Sequence, residues 1–293
     1  MTVTLKNEQL TVVIDDLGAQ LCSVQTPSGR EYIWQADPAV WGRHAPLLFP
    51  VIGRLKDSQY TLKGRTYTIP SHGFARDSRF EVTEQTGTSA SFRLTHSEET
   101  LKLWPFPFVL TVTYTLEETR LTKSCRVDNV GEDTMYFELG GHDGFVAPLE
   151  EGESMSDYAI RIPGMVGIQP YGMDEACMLT PKSAVYPLDK GRIPLKPAAF
   201  GLDTVILDEL PVSTARLVDR SGRPRVTLEF AGFPYLGIWT VHRDFETRYV
   251  CIEPWSTLPD ATFVGRGLDE KAGIRSLQPG LTDTLSYTTT FHC

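Results

Sequence analysis

Strict alternation of apolar and polar positions runs through most of the chain. In "FVLTVTYTLEETRLTKSCRVDNVGEDTMYFEL", Phe108, Leu110, Val112, Tyr114 and Leu116 share one face, and Thr111, Thr113 and Thr115 take the other. A period of two marks a strand with one buried face. The polar "EET" reverses the chain, and Leu121, Cys125 and Val127 resume the apolar parity. "NVGED" turns it again before Met135, Phe137 and Leu139, so the pattern predicts an antiparallel meander. "QYTLKGRTYTI" predicts a hairpin about Lys63-Gly64, where glycine supplies the positive φ of a tight turn. "SASFRLTH", "RVTLEF" and "TLSYTTTF" predict further strands. In "RYVCIEPW", Val250 and Ile252 face one way while Tyr249, Cys251 and Glu253 face the other. Both faces are largely apolar, which predicts an interior strand with Glu253 at its end. Helix is scarce: "SEETLKLW" offers Ser97 as an N-cap with Glu98 and Glu99 in the first turn.

Composition sharpens this picture. The chain has 293 residues, 41% of them hydrophobic and 22% charged, enough for a large globular core. That length suits two average domains or one large β domain. No Gly/Ser linker, charge block or internal repeat divides it, so residues 1–293 are expected to form a single domain. The predicted class is all-β, a large antiparallel β-sandwich with few short helices. A net charge of −9 argues against nucleic acid as a partner, yet allows a local arginine pair to hold a small anion. The first residues show no signal-like apolar core, and charges interrupt the later apolar runs, so no membrane partner is expected. Five cysteines are scattered without a C-x-x-C pair, which points to free thiols and a cytoplasmic location.

The candidate chemistry lies at strand ends. "FELGGHDGF" surrounds His142 with three glycines, which suits either a ligand-accessible imidazole or a tight turn. Glu253, partly desolvated before Pro-Trp, is either a proton acceptor or an anchor for a neighbouring loop. "RHAPLLFPVIGRLKD" and "SHGFARD" place Arg43, Arg54, His72 and Arg76 among turn-forming Gly and Pro. An arginine fork fits vicinal hydroxyls, a carboxylate or a phosphate. Arg76 alternatively pairs with Asp77, and Arg43 reads as structural or solvated. Asp203 opens "DTVIL" as a turn acid or cap, and Trp239 is a core tryptophan or a surface for stacking a sugar ring. His44, His96, His242 and His292 have no comparable surroundings. No H-x-x-x-H spacing, Gly-rich phosphate loop or G-x-S-x-G elbow is present. Cofactor-free acid/base chemistry remains, with no metal.

"APLLFPVIGRLKD", "SHGFARD", "FELGGHDGF", "FGLDTVIL", "FPYLGIW" and "CIEPWSTLPD", in this order, resemble the aldose 1-epimerase (galactose mutarotase-like) family over nearly the whole chain. The likeness is greatest to its LacX-type branch, itself similar to hexose-6-phosphate mutarotases. The resemblance implies a galactose mutarotase-like supersandwich that interconverts the α and β anomers of an aldose without a cofactor. It implies Glu253 as the base at the C1 hydroxyl and His142 as the acid at the ring oxygen. Arg54, His72 and Asp203 match sugar-binding positions, and Arg76 matches a phosphate-binding one. The glycines beside His142 are then expected to leave room for the sugar ring. The implied partner is a small-molecule sugar or sugar phosphate. Three departures stand out: Asp143 replaces the proline usual after the histidine, "VHRDFETRYV" replaces a proline-containing loop, and "EPWSTLPD" lacks a glycine after "EPW". Asp143 either raises the pKa of His142 or points to solvent. Two alternatives are a sugar-binding or regulatory protein on the same fold, and a polysaccharide lyase or glycosidase. A glycosidase commonly needs paired carboxylates, and motif places only Glu253.

Overall fold

The computed structural model describes residues 1–196, 204–241 and 247–293. In it the alternation becomes burial. Phe108–Glu117 buries every second side chain, and it runs antiparallel to Arg120–Asn129 with Thr113 opposite Ser124. The predicted hairpin forms from Gln59–Leu62 and Arg65–Thr68, with Lys63 and Gly64 at φ of 49° and 76°. Ser97 caps the short helix Glu98–Leu103 in a reciprocal box: its backbone N–H donates to Thr100 Oγ1 at 2.8 Å, and its hydroxyl accepts from Thr100 N.

Among the described residues, the strands build two large antiparallel sheets. The nine-stranded sheet runs, in spatial order, through Arg192–Pro194, Ala159–Arg161, Thr214–Val218, Pro224–Glu229, Thr282–Phe291, Arg120–Asn129, Phe108–Glu117, Ser89–Thr95 and Glu81–Gln85. The predicted meander holds for two strands and fails at the third. Met135–Phe137 leaves the sheet to pair with Arg275–Leu277, and Thr282–Phe291 takes the place beside Arg120–Asn129. The reason lies in the turn. Asn129, 1% exposed, donates its side-chain amide to the carbonyls of Asp133 and Leu277 and accepts from Gly131 N, so it ties the "NVGED" loop to the C-terminal segment.

The other sheet is centred on Tyr249–Trp255, which is buried at every position, as an interior strand should be. Tyr235–Trp239 lies on one side of it; Gly140–Gly141 and Asp143–Val146 lie on the other. Thus Glu253 sits within the strand rather than at its end, opposite Gly237. The inner faces of the sheets enclose one apolar cluster that runs from Val3 to Phe291. The outer face of the second sheet carries a smaller cluster that includes Leu48, Ile206 and Trp255, and beside it lies a cleft. No helix is long and apolar enough to cross a membrane among the described residues.

Candidate active site

His142 stands between the short strands Gly140–Gly141 and Asp143–Val146, both antiparallel to Tyr249–Trp255. That register brings its Nε2 to 3.3 Å from Glu253 Oε2, with the two side chains 10% and 1% exposed. Strand alternation sends the next residue the other way. Asp143 therefore enters the sandwich interior, where the Tyr287 hydroxyl donates to Oδ1 at 3.0 Å and Oδ2 at 2.9 Å, and Lys123 Nζ lies 3.7 Å away. Burial pushes its carboxyl pKa up, against the pull of Lys123 and Tyr287. Asp143 neither points to solvent nor raises the pKa of His142.

The glycines answer to the protein's own side chains rather than to a sugar. A Cβ at Gly141 would lie 2.4 Å from the Tyr287 hydroxyl oxygen, and one at Gly140 would lie 2.9 Å from the Trp255 ring. At Gly144 it would meet the Trp41 ring and the His44 carbonyl, both at 2.9 Å. Trp41 uses that space to stack on His142, ring centroids 5.1 Å apart, and continues onto Tyr249 at 5.2 Å. Trp239 meets the imidazole edge-on at 5.3 Å, as does His72 at 5.6 Å. Sequence reasoning passed over Trp41; its only local signal is an aromatic residue beside a glycine in a polar, turn-rich stretch.

This pair opens into a cleft of 220 Å³ whose walls include Arg43, Arg54, His72, Arg76, Trp41 and Trp239. Arg54 is exposed and has no ion-pair partner among the described residues. His72 adopts φ of +63°, a region that costs a non-glycine residue of the order of 1 kcal/mol. Two contacts with Gly53 hold it there: its Nδ1 accepts from Gly53 N at 3.1 Å, and its N–H donates to the Gly53 carbonyl at 2.7 Å. Arg76 is 18% exposed and donates to the Ser71 carbonyl at 2.8 Å. Asp77 fastens both flanking guanidiniums, at 2.9 Å from Arg43 and 3.5 Å from Arg76. Arg43, read from sequence as structural or solvated, lines the cleft. Asp203 lies outside the described residues, as does His242.

The electrostatics are set by burial and by those arginines. Burial takes the His142 imidazole down to about 3; a backbone hydrogen bond resists the fall, and Arg76 and Arg43 deepen it. Burial also holds His72 well below the usual histidine range, helped by His142, Arg76 and Arg43. Both rings are thus neutral at neutral pH. His142, Glu253 and Cys251 present donor atoms within 4.8 Å of one another, a grouping that invites a metal. Cys251 fits that role poorly, because burial drives its thiol far from ionisation and the thiolate is the metal ligand.

The comparisons with known proteins agree with one another. The family model for aldose 1-epimerases matches residues 1–272. The chromosomal and plasmid LacX proteins of Lactococcus lactis subsp. lactis are 32% and 31% identical to it, over 98% of this chain and 98% of their own. A galactose mutarotase related enzyme from Lactobacillus acidophilus superposes with a TM-score of 0.94 at 35% identity, covering 100% of this chain and 98% of its own. A galactose mutarotase-like protein from Lactobacillus casei gives 0.92 at 30% identity, with 100% of both chains covered. A family match of such extent, on an all-β sandwich with that likeness, leaves one assignment: the chain belongs to the aldose 1-epimerase family.

Proposed function

We propose that the protein is a cofactor-free mutarotase that interconverts the α and β anomers of a hexose or hexose phosphate. The observation that carries this reading is the His142–Glu253 pair, 3.3 Å apart at the wall of a cleft. Glu253 takes the proton of the C1 hydroxyl as the bond between C1 and the ring oxygen breaks, and His142 gives a proton to that oxygen. The open aldehyde turns about its C1–C2 bond. On closure the ring hydroxyl attacks the other face of C1, its proton returns to His142, and Glu253 reprotonates the former carbonyl oxygen. Arg54 and His72 hold sugar hydroxyls. Arg76, with Arg43 beside it, receives a phosphate where the substrate has one. The clustering of three guanidiniums along the cleft of a chain with net charge −9 favours the phosphorylated sugar.

A second reading, a carbohydrate-binding or regulatory protein, draws on one observation: an imidazole held down to about 3 carries little of the proton that a general acid must give. Anomer exchange followed by NMR magnetisation transfer separates the two. Glucose, galactose and their 6-phosphates are presented to wild type, Glu253→Gln and His142→Asn. Mutarotation requires acceleration by wild type that each substitution cuts by about 10²-fold or more. Tight sugar binding without acceleration would move the assignment to the binding protein. We also read the chain as one domain, since one apolar cluster draws on residues from Val3 to Phe291. Five free cysteines suit the reducing cytoplasm as its location.

A further inference from the structure

Two acids of the motif stretches take no part in that chemistry, Glu138 of "FELGGH" and Asp260 of "STLPD", and they meet at a lysine far along the chain. Lys271 Nζ lies 2.5 Å from Glu138 Oε1 and 3.0 Å from Asp260 Oδ1. The lysine side chain is 11% exposed, and the two carboxylates are 0% and 6% exposed. Each acid spends its other oxygen on a backbone amide: Ile52 N–H donates to Glu138 at 2.5 Å, and Lys56 N–H donates to Asp260 at 2.9 Å. Those amides flank Gly53, Arg54 and Leu55. The turn between them is also held from inside the cleft. The Gly53 carbonyl accepts from His72 N at 2.7 Å and Ser71 Oγ at 3.1 Å, and Asp260 N donates to the Arg54 carbonyl at 3.4 Å. Pro259 packs so closely that a Cβ at Gly53 would lie 2.6 Å from its ring.

We propose that Lys271 is a positioning residue for the sugar site: by holding Glu138 and Asp260 together as anions it fixes the turn that presents the Arg54 guanidinium to the substrate. This rests on the reading of the cleft as a sugar site. The argument is electrostatic. Two carboxylates buried side by side do not both stay ionised without a cation; one takes a proton and becomes a weaker acceptor. The amide it held is then released, and one end of the Arg54 turn with it. Arg54 itself has no ion-pair partner among the described residues, so its aim depends on its backbone. A turn fixed in advance spares the substrate the ordering that binding would otherwise require. The effect therefore falls on substrate binding and leaves proton transfer between His142, Glu253 and the sugar largely untouched.

A double-mutant cycle tests this, read with the best wild-type substrate. Lys271→Met is expected to raise KM about tenfold with kcat changed less than about threefold, and Arg54→Ala to do likewise. In the Arg54→Ala background, Lys271→Met should add little more, because it acts through Arg54. An equal effect of Lys271→Met in both backgrounds, or a fall in kcat at unchanged KM, overturns the proposal. Should Lys271→Met fail to fold, Lys271→Gln replaces it in the same cycle, since it removes the cation while its amide can still donate to one of the two carboxylates. If wild type turns over no sugar, the proposed function fails, and the same cycle is run on calorimetric Kd values for glucose 6-phosphate. If that sugar does not bind either, amide hydrogen exchange decides. Exchange about tenfold faster at Ile52 or at Lys56 in Lys271→Met upholds the positioning role, and unchanged exchange at both overturns it.

Discussion

His142 concentrates both the strength and the demand of the mutarotase reading. Its contact with Glu253 is what two-site proton transfer needs, yet burial keeps the ring neutral, with Arg76 and Arg43 pulling the same way. A phosphate held by those two arginines would cancel their pull and leave the Glu253 carboxylate as the nearest charge. Burial, the larger cause, stays, so glucose 6-phosphate is expected to move the His142 titration upward, and further than glucose does, in an NMR titration of the imidazole resonances. If neither sugar moves it, the general-acid role of His142 fails and the binding-protein reading gains. At this scale the sequence was informative for groups that carry their own motif. His142, Glu253, Arg54, His72 and Arg76 come to one cleft from the stretches that named them. Trp41 and Lys271 were not legible. Trp41 is defined by rings at Tyr249 and His142, and Lys271 by acids at 138 and 260, so their partners are remote in the chain.

At the scale of elements, alternation placed the strands because a strand with one buried face must alternate. It did not place their neighbours, since pairing is decided by turn chemistry and distant segments. Two positions after Val127, Asn129 turns what reads as a third meander strand toward Leu277. The His142 strand shows the same limit. Its glycines are visible in sequence, but their purpose depends on Tyr287, Trp255 and Trp41. This gives a stability prediction. Gly141→Ala drives a methyl group into the Tyr287 ring, which also carries the hydroxyl that holds Asp143. Neither partner has room to withdraw, because Tyr287 is only 4% exposed and lies at the sandwich core. Overpacking of this kind costs about 1–3 kcal/mol. A urea midpoint equal to that of wild type would show that the ring is freer to move than its surroundings imply.

For the molecule as a whole, the site was built by withdrawing titratable groups from water, and that makes stability depend on pH. The all-β class was legible from periodicity and the absence of long amphipathic helices, whereas the depth of these groups was not, because it is set by side chains remote in the chain. Trp41, Trp239 and His72 cover His142 in the cleft, and Tyr287 covers Asp143 in the sandwich interior. His142 has a native pKa of about 3 against 6.5 for an ordinary histidine. Its folded value is depressed, so above pH 6.5 neither state binds the proton and the full stability is present. As pH falls below that, the unfolded chain takes up the proton first, and stability is lost until the native ring titrates near 3. Between pH 7.5 and 5 the loss through this one group is about 2 kcal/mol, at about 1.4 kcal/mol per pH unit below the unfolded value. His72, also depressed, acts in the same direction. Glu138 and Asp143 act in the opposite one, since burial raises their folded values and the native state then binds protons more readily. A wild-type curve alone mixes these contributions, but the difference between wild type and His142→Asn isolates the imidazole. The stability of wild type relative to that variant is expected to fall by about 2 kcal/mol from pH 7.5 to 5 in urea unfolding. A pH-independent difference would mean that His142 titrates in the folded protein as it does in the unfolded chain, and that Trp41, Trp239 and His72 do not hold its imidazole away from water.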